Sequence, residues 1–489
     1  MSFLLNLNNV KKYKESNLFE PKLKEECGVF GIYGNQEAAT MTYLGLYSLQ
    51  HRGQESCGII SSDGNRFYKS IGMGKVTDFF DGEKLESLKG DMAIGHVRYS
   101  TTGGTGIVNA QPLSAVYHRG YMAVAHNGNI TNAYKIRKEL EKEGAIFQST
   151  TDTEIVIHLL ARSKAANFTD ALIESVSRLE GAFSLLIMTN KKLIAVRDPW
   201  GFRPLSLGFV DKGYVVASET TAFDIIEARY IRDIEPGEIL IIENNTIRSE
   251  KPFPKKKISQ CIFELIYFAK PSSMVFHKSV YEFRKNLGKQ LAEEDSIVPD
   301  IVIPVPDSGR MAALGYAEAK NIRFDEGLIR SHYIGRTFIE PAQKIRDFGA
   351  KIKFSPVESV LKGKKVVVID DSIVRGTTAR KIIKMIRAAG AKEIHFRISS
   401  PPTISPCYYG IDFPSKEELI ANMMSIEEIE RYLEVDSMRY ISYEGMMKIT
   451  GESKDLFCTA CFNEKYPIEV ERKGKSILEE NKEKNKKAE

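Results

Sequence analysis

The sequence predicts an α+β half followed by an α/β half whose sheet is mainly parallel. Its 489 residues exceed the roughly 250–300 residues at which one hydrophobic core stops growing, so at least two domains are expected. Short β-rich runs dominate from residue 27 to about residue 250. After that point apolar strands alternate with helices, which is the pattern of parallel βαβ units.

Composition excludes several classes of protein. Hydrophobic residues make up 43% of the chain and charged residues 27%, both close to the averages of globular proteins. The net charge of +5 is spread along the chain, which disfavours a dedicated nucleic-acid-binding protein. Six cysteines are too few for a disulfide scaffold and indicate a reducing compartment. Without a secretory signal or an apolar run of about 18 residues, the chain is expected to be cytoplasmic, with no membrane partner.

The first folded element begins at Cys27. Residues 1–26 are polar and rich in Lys and Glu, whereas Cys27 opens an apolar strand that closes in a glycine turn at Gly34. Two amphipathic helices are predicted over residues 39–50 and 154–161. Helices layered on sheets are therefore expected. The further strands of this half are predicted over residues 92–94, 121–125, 183–188, 193–196, 214–217 and 239–242.

Residues 251–257 predict the boundary between the two halves. Two prolines and three consecutive lysines without an apolar period are typical of an exposed connector, so the domains are expected to span residues 27–254 and 255–470. In the second domain, strands over residues 301–305, 365–369 and 393–398 alternate with helices over residues 310–320 and 378–389. Residues 471–489 are highly charged and predict a solvated tail.

A pair of carboxylates marks the first candidate site. Asp370 and Asp371 follow a buried parallel strand, and ligands of open α/β sheets bind at that edge. The loop amides, the threonine hydroxyls and the helix amino end would cradle a phosphate, whereas the carboxylates suit sugar hydroxyls or a divalent cation. Together they predict a phosphoribosyl group, although an acidic pair alone can merely cap a helix. The loop and helix start contribute Ser372, Arg375, Gly376, Thr377 and Thr378.

Two further stretches extend this site. Asp307, Ser308 and Gly309 also lie between an apolar strand and a helix, so they should offer a hydroxyl and amides to a second phosphate group. Residues 330–346 are rich in Arg and aromatic residues and show no hydrophobic periodicity. This composition suits a mobile lid over a polyanion, in which guanidinium groups such as that of Arg336 would bind phosphate oxygens. The chain lacks the nucleotide-triphosphate and dinucleotide fingerprints, which favours phosphoribosyl diphosphate as substrate.

Cys27 is the candidate nucleophile of the first domain. A cysteine at a processed amino terminus carries its own base, an α-amine with a reference pKa of about 7.7–8.0, although a cysteine opening an apolar strand is more often inert core. Other motifs contain residue types that could bind an amino-acid amide as substrate. Arg98 suits the α-carboxylate, and Asp152 suits the α-ammonium. Asn127 and the N–H of Gly128 suit the oxyanion.

These motifs resemble the family of amidophosphoribosyltransferases. The string DDSIVRGTT is similar to the type I phosphoribosyltransferase signature, and the motifs around Cys27, Arg98, Asn127 and Asp152 are similar to class II glutamine amidotransferases. The resemblance implies a layered αββα glutaminase domain of the N-terminal-nucleophile type, followed by a type I phosphoribosyltransferase domain. It also implies that residues 1–26 are a propeptide and that Lys353 contributes to phosphoribosyl diphosphate binding.

The resemblance further implies two inorganic cofactors. One Mg²⁺ per subunit would lie near Ser308, Asp370 and Asp371. The Cys458–Cys461 pair alone is compatible with zinc, redox chemistry or no ligand. In family members that carry a [4Fe–4S] cluster, the positions of Cys261 and Cys407 complete the ligand set, and a Cys₄ zinc site is the alternative.

The function implied is transfer of ammonia from glutamine to C1 of 5-phosphoribosyl 1-diphosphate, the first committed step of de novo purine biosynthesis. Purine nucleotides are expected as feedback inhibitors, and a homo-oligomer, dimer or tetramer, is expected. One alternative is amination of another acceptor such as a hexose phosphate, against which the motif at 370–378 argues. The other is a non-catalytic regulatory protein that binds phosphoribosyl diphosphate, against which Cys27, Arg98, Asn127 and Asp152 argue.

Overall fold

The computed structural model describes residues 27–99, 106–331, 353–413 and 415–469. The predicted propeptide, the charged tail and Arg336 lie outside these residues. The strands of the first half are β1 (Gly28–Tyr33), β2 (Ser56–Ser62), β3 (Phe67–Met73), β4 (Met92–Arg98), β5 (Leu113–Tyr117), β6 (Gly120–Ile130), β7 (Gly181–Thr189), β8 (Leu193–Arg197), β9 (Ser206–Val210), β10 (Gly213–Ala217), β11 (Arg229–Asp233), β12 (Ile239–Glu243) and β13 (Thr246–Glu250). Its helices are α1 (Ala38–Ser48), α2 (Val76–Phe79), α3 (Gly82–Ser87), α4 (Ala133–Lys142), α5 (Glu154–Arg162), α6 (Phe168–Val176) and α7 (Thr221–Asp224).

These strands form two antiparallel sheets. One has the order β11-β9-β10-β1-β4-β2-β3 and the other the order β13-β12-β8-β7-β6-β5. Val29 of β1 and Leu186 of β7 belong to one buried cluster between the sheets. Leu46 of α1 packs on the outer face of the first sheet, and Leu160 of α5 packs on the outer face of the second. The first half is therefore the layered αββα arrangement that the resemblance implied.

The second half contains the strands β14 (Gln260–Cys261), β15 (Met274–Val275), β16 (Lys278–Ser279), β17 (Ile301–Pro304), β18 (Leu328–Arg330), β19 (Phe354–Pro356), β20 (Lys365–Asp370), β21 (Glu393–Ile398), β22 (Ser437–Tyr440) and β23 (Phe457–Cys458). Its helices are α8 (Val280–Glu293), α9 (Arg310–Lys320), α10 (Glu358–Leu361), α11 (Thr377–Ala388), α12 (Ile420–Met423), α13 (Ile426–Leu433), α14 (Tyr443–Ile449) and α15 (Ala460–Asn463). A π-helical turn spans Glu264–Phe268.

A parallel sheet organises this half, as predicted. Strands β17, β20, β21 and β22 are neighbours in that order, and every pairing is parallel. Alternate residues of β20 face opposite cores, since Val366 and Val368 pack with α11 while Val367 and Ile369 pack with α8 and α9. Strands buried on both faces have the near-continuous apolar sequence seen here. The fold class predicted for this half is thus confirmed.

Buried ion pairs join the two halves. Arg52 of the first half is fully buried, contacting Glu264 of the second half and Glu219 of its own. Arg203 approaches Glu264 to 3.4 Å and donates two hydrogen bonds to the carbonyl of Tyr409. Because a buried charge is tolerated only when it is paired, these contacts fix how the halves meet. Within the described ranges, no helix is long and apolar enough to cross a bilayer.

Candidate active sites

The first site is built around Cys27. Cys27 directly precedes β1, and the pairing of Gly28 with Val97 brings it beside Arg98, the last residue of β4. Its Sγ lies 3.6 Å from the carbonyl oxygen of Tyr99, and the residue is 8% exposed. Sheet register thus joins two motifs that are 71 positions apart in the sequence.

The environment of Cys27 keeps its thiol protonated. Burial raises the pKa of Cys27 to about 11 and outweighs the opposing influence of the nearby Arg98 guanidinium. The thiolate is the nucleophilic form of cysteine, so this thiol needs a base to react near neutral pH.

Two charged side chains of opposite sign accompany the thiol. Arg98 is 2% exposed, and its Nη1 lies 2.8 Å from Oε1 of Glu55. Asp152 is 4% exposed, and its Oδ2 accepts a hydrogen bond of 2.8 Å from the backbone N–H of Ile130. Both lie near enough to influence the pKa of the Cys27 thiol, Arg98 lowering it and Asp152 raising it.

The charge of Asp152 is stabilised by its surroundings. Burial, the largest single influence, favours the neutral acid. His126, whose Nδ1 lies 3.5 Å from Oδ1 of Asp152, opposes this together with hydrogen bonds from Ile130 and Thr151, and the pKa of Asp152 is lowered overall. A buried carboxylate of this kind suits an ammonium group.

Asn127 and Gly128 lie next to each other on β6. Asn127 is 1% exposed; its Nδ2 approaches Oγ of Ser218 at 3.5 Å, and its Oδ1 has no hydrogen-bond partner within the described part of the chain. Gly128 has a φ of +143°, and a Cβ there would lie 2.1 Å from the carbonyl oxygen of Ala182. The position therefore requires glycine.

The second site lies at the carboxyl edge of the parallel sheet. Oγ of Ser308, after β17, lies 3.4 Å from Oδ1 of Asp370, at the end of β20. A Cβ at Gly309 would lie 2.2 Å from the carbonyl oxygen of Ile369, so glycine allows this loop to approach β20. The two loops predicted from sequence therefore meet, as expected for neighbouring parallel strands.

A cleft opens between these loops and the amino end of α11. Gly376, the residue before α11, has a φ of +74° that favours glycine. The helix amino end and a carboxylate pair thus face one space, which suits a phosphate and a sugar or metal together. The cleft is lined by Ser308, Asp370, Asp371, Ser372, Arg375, Gly376, Thr377 and Thr378, with Tyr267 and several apolar side chains.

Three predicted ligands are not among the residues that line this cleft. Asp307 is paired with Arg330, and Gly309 shapes the loop backbone as described above. Lys353 is exposed next to β19, and its carbonyl accepts a hydrogen bond from Ser331.

The four predicted cluster ligands surround one small cavity. Cys261 pairs with Cys458 across the parallel bridge of β14 and β23. Cys407 and Cys461 complete the lining, and the charges of the other three thiols raise the pKa of Cys461 further beyond the effect of burial. Among the described residues, no three His, Cys, Asp or Glu side chains are close enough to hold a single metal ion. Four thiols around one cavity are the ligand set both of a [4Fe–4S] cluster and of a Cys₄ zinc site.

Sequence reasoning missed several residues of both sites. Glu55 and Ser218 contact Arg98 and Asn127, yet lone polar residues near strand ends carry no distinguishing signal. His126 directly precedes Asn127 in the sequence, but its approach to Asp152 depends on folding. Tyr267 reaches the cleft from the π-helical turn, which no sequence period reveals.

Comparisons with known proteins agree with this architecture. The model of a glutamine amidotransferase domain matches residues 97–224, and the model of a phosphoribosyl transferase domain matches residues 277–399. Amidophosphoribosyltransferase 2, chloroplastic, of Arabidopsis thaliana is 52% identical over 452 residues, covering 92% of this chain and 81% of that protein. Amidophosphoribosyltransferase of Bacillus subtilis is 48% identical over 453 residues, covering 92% of this chain and 95% of that protein.

Solved structures agree as well. The glutamine phosphoribosylpyrophosphate amidotransferase from B. subtilis complexed with ADP and GMP superposes with a TM-score of 0.87 at 47% identity, covering 91% of this chain and 98% of that one. A structure described as the allosteric regulatory enzyme of purine biosynthesis gives a TM-score of 0.88 at 48% identity, covering 91% of this chain and 97% of that one.

Fold and sites together define a glutamine amidotransferase joined to a phosphoribosyltransferase. The chain belongs to the amidophosphoribosyltransferase family. It is therefore an enzyme of purine biosynthesis, a pentosyltransferase, and not the non-catalytic binding protein considered as an alternative.

Proposed function

We propose that the chain hydrolyses glutamine at Cys27 and transfers the ammonia to C1 of 5-phosphoribosyl 1-diphosphate. The products are 5-phosphoribosylamine, glutamate and diphosphate. The observation that carries the proposal is the burial of Cys27 beside Arg98, within electrostatic reach of Asp152, in a chain whose other half has a carboxylate-lined cleft. A thiol accompanied by a cation and an anion suits the two charged ends of a free amino acid.

At the first site, Arg98 would bind the α-carboxylate of glutamine and Asp152 its α-ammonium. The free α-amine of Cys27 would take the thiol proton as Sγ attacks the amide carbon, and Asn127 Nδ2 with the Gly128 N–H would stabilise the oxyanion. Collapse of this intermediate releases ammonia, with the proton returned by the amine, and leaves a thioester. Water then hydrolyses the thioester to glutamate and the free thiol.

Removal of residues 1–26 follows from the same chemistry. The pKa of the Cys27 thiol is about 11, so the thiol depends on a base, and a peptide-bonded nitrogen cannot serve as one. We therefore infer that residues 1–26 are a propeptide and that maturation exposes Cys27. Amino-terminal sequencing of active protein should begin Cys-Gly-Val-Phe, whereas full glutamine-dependent activity in protein that still starts at Met1 would contradict the inference.

At the second site, positioning would account for most of the catalysis. Asp370 and Asp371 would hold the ribose hydroxyls, and the loop from Ser372 to Thr378 would hold the 5-phosphate. The residues proposed for the diphosphate are Asp307, Ser308, Gly309, the lid residue Arg336, and Lys353, which follows the lid. Ammonia would attack C1, and the C1–O bond to diphosphate would break. One Mg²⁺, held by Ser308, Asp370 and Asp371 with substrate oxygens, supplies charge neutralisation for the leaving group when bound.

We assign Cys261, Cys407, Cys458 and Cys461 to one [4Fe–4S] cluster. Three separated segments provide these thiols around one cavity, and they lie in the same core as α8 and α9. When bound, the cluster supplies a covalent clamp between those segments, so its role would be structural. Loss of the cluster on exposure to oxygen should therefore lower stability.

Regulation and assembly are proposed by analogy. The B. subtilis relative was solved with ADP and GMP, which makes purine nucleotides the expected feedback inhibitors here. A homo-oligomer, dimer or tetramer, and a cytoplasmic location complete the proposal.

One assay tests the central proposal. Diphosphate release from phosphoribosyl diphosphate should depend on glutamine or on free ammonia in the parent enzyme. Cys27→Ala should abolish the glutamine-dependent reaction and leave the ammonia-dependent reaction, because only the second site uses ammonia directly. Loss of both reactions in a folded variant would show that the roles of the two sites are wrongly assigned.

A further inference from the structure

The second half of the chain contacts the strand that carries Asn127 and Gly128. Nδ2 of Asn129, the next residue of β6, donates a hydrogen bond of 2.8 Å to the backbone carbonyl of Tyr408. The two residues are 279 positions apart and belong to different halves. The end of β6 is therefore held by a residue that a separate glutaminase domain would lack.

The segment 408–410 is itself fixed to the first half. Arg203, which is fully buried, donates from Nε at 3.1 Å and from Nη2 at 2.6 Å to the carbonyl of Tyr409. Successive carbonyls at 408 and 409 thus accept hydrogen bonds from two different side chains of the first half. A backbone held at both positions has little freedom to shift relative to β6.

Gly410 places the same segment directly against Gly128. A Cβ built on Gly410 would lie 3.0 Å from the carbonyl carbon of Gly128 and 3.1 Å from Nη2 of Arg203. Gly410 also has a φ of +110°, which L-residues rarely adopt. A Cβ on Gly128 would in turn meet the carbonyl oxygen of Ala182 in β7, so the backbone of Gly128 is packed closely against both β7 and the segment 408–410.

We propose that Asn129 is a positioning residue for glutamine hydrolysis, acting with Tyr408 and Gly410 to hold the Gly128 N–H where the oxyanion forms. The inference rests on the oxyanion role proposed above for Asn127 and Gly128. Its physical basis is that an oxyanion donor must be preorganised, and a displacement of about 1 Å can cost about a hundredfold in rate. The glutaminase site is then complete only when the second half is docked on it.

Asn129→Ala and the nearly isosteric Asn129→Asp remove the donor to Tyr408, and Gly410→Ala adds a methyl group that crowds the backbone of Gly128. In each variant we expect kcat for glutamine hydrolysis to fall about tenfold or more while KM for glutamine stays nearly constant, because the donor acts on the transition state. Inhibition by glutamate 5-semialdehyde, whose thiol adduct carries an oxyanion, should weaken in proportion to kcat. Inhibition by glutamate should not change.

Asn132→Ala is the matched control. Asn132 lies just beyond β6, and its side chain hydrogen-bonds to the backbone of Arg178 and Glu180 in the first half, so kcat should be retained. Ammonia-dependent synthesis should be unchanged in all four variants. Equal effects of Asn129→Ala and Asn132→Ala, or a rise in KM with unchanged kcat, would overturn the proposal.

Asn127→Ala separates this inference from the function on which it rests. Loss of glutamine hydrolysis in Asn127→Ala with full activity in Asn129→Asp and Gly410→Ala would reject only the positioning role. Full hydrolysis in Asn127→Ala would reject the oxyanion assignment itself.

Discussion

The guanidinium of Arg98 is bound by the carboxylate of Glu55, with 2.8 Å between Nη1 and Oε1. The backbone N–H of Glu55 also donates to the carbonyl of Arg98, at 3.1 Å. Glu55 thus fixes both the strand end and the side chain that we assign to the α-carboxylate of glutamine. An arginine held in this way is oriented before its ligand arrives.

Glu55→Gln should raise KM for glutamine about three- to tenfold, since it weakens a charge-assisted hydrogen bond that orients Arg98. Steady-state kinetics with glutamine as the varied substrate would measure this. The control is Glu141→Gln, which weakens a pair with Arg137 within α4 and should leave KM unchanged. An unchanged KM in Glu55→Gln would show that Arg98 is oriented by other contacts.

Asp370→Asn should weaken phosphoribosyl diphosphate binding by about one to two orders of magnitude, the effect of losing a charge-assisted contact. Equilibrium binding in the presence of Mg²⁺ would measure the change. Asp300→Asn alters a carboxylate at the opposite edge of the same sheet, where Oδ2 accepts from the N–H of Lys365, and should bind normally. Normal affinity in Asp370→Asn would show that Asp370 does not bind phosphoribosyl diphosphate.

Cys461→Ser should abolish iron binding. Protein purified without oxygen is expected to contain roughly four irons and four sulfides per chain, which elemental and sulfide analysis would determine. Cys57, buried in the first half, lines no part of the cysteine cavity, so Cys57→Ala should retain the iron. Stoichiometric zinc without sulfide in the parent protein would instead identify a Cys₄ zinc site.

Glu154 should contribute to stability above pH 4.5 and lose that contribution as the pH falls. Burial, the largest influence, favours the neutral acid, but His158 and donors on Ser149 and Gln148 lower the pKa of Glu154 to about 2. A carboxylate with a depressed folded pKa stabilises the folded state above its unfolded pKa, and this is lost between pH 4.5 and pH 2.

Glu154→Gln should therefore reduce the free energy of unfolding by about 1–3 kcal/mol at pH 7 and flatten its dependence on pH below 4.5. Denaturant titrations at several pH values would measure both effects. If the free energy of unfolding of Glu154→Gln falls with decreasing pH as steeply as that of the parent protein, the acid-sensitive group is a different residue.

Glu264→Gln should lower the free energy of unfolding by about 3–5 kcal/mol, because it leaves the buried guanidinium groups of Arg52 and Arg203 with less compensating charge. Denaturant unfolding would measure the loss. Glu318→Gln weakens exposed pairs with lysines of α8 and should cost at most about 1 kcal/mol. Equal stability of the two variants would contradict a structural role for the buried pairs.

Several elements were predicted closely from sequence, although the longest described helix, α8, was not predicted. The helix expected over residues 310–320 is Arg310–Lys320, and the strand expected over 393–398 is Glu393–Ile398. Edge strands such as β11, which is largely exposed, were missed because their alternation is weak. The domain boundaries and the roles of individual site residues stay predictions.

By itself the sequence determined the chemistry-bearing residue types, the order of the two folds and the family. Strand-end motifs of a parallel sheet must meet at one edge, so Ser308 and Asp370 could be placed together from sequence order alone. Only the tertiary structure decided that Glu55 holds Arg98, that Tyr267 reaches the cleft and that Tyr408 accepts a hydrogen bond from Asn129. The physical reason is that such contacts depend on sheet register and on the packing of the two halves. Neither of these produces a periodic pattern of residues that could be detected in the sequence.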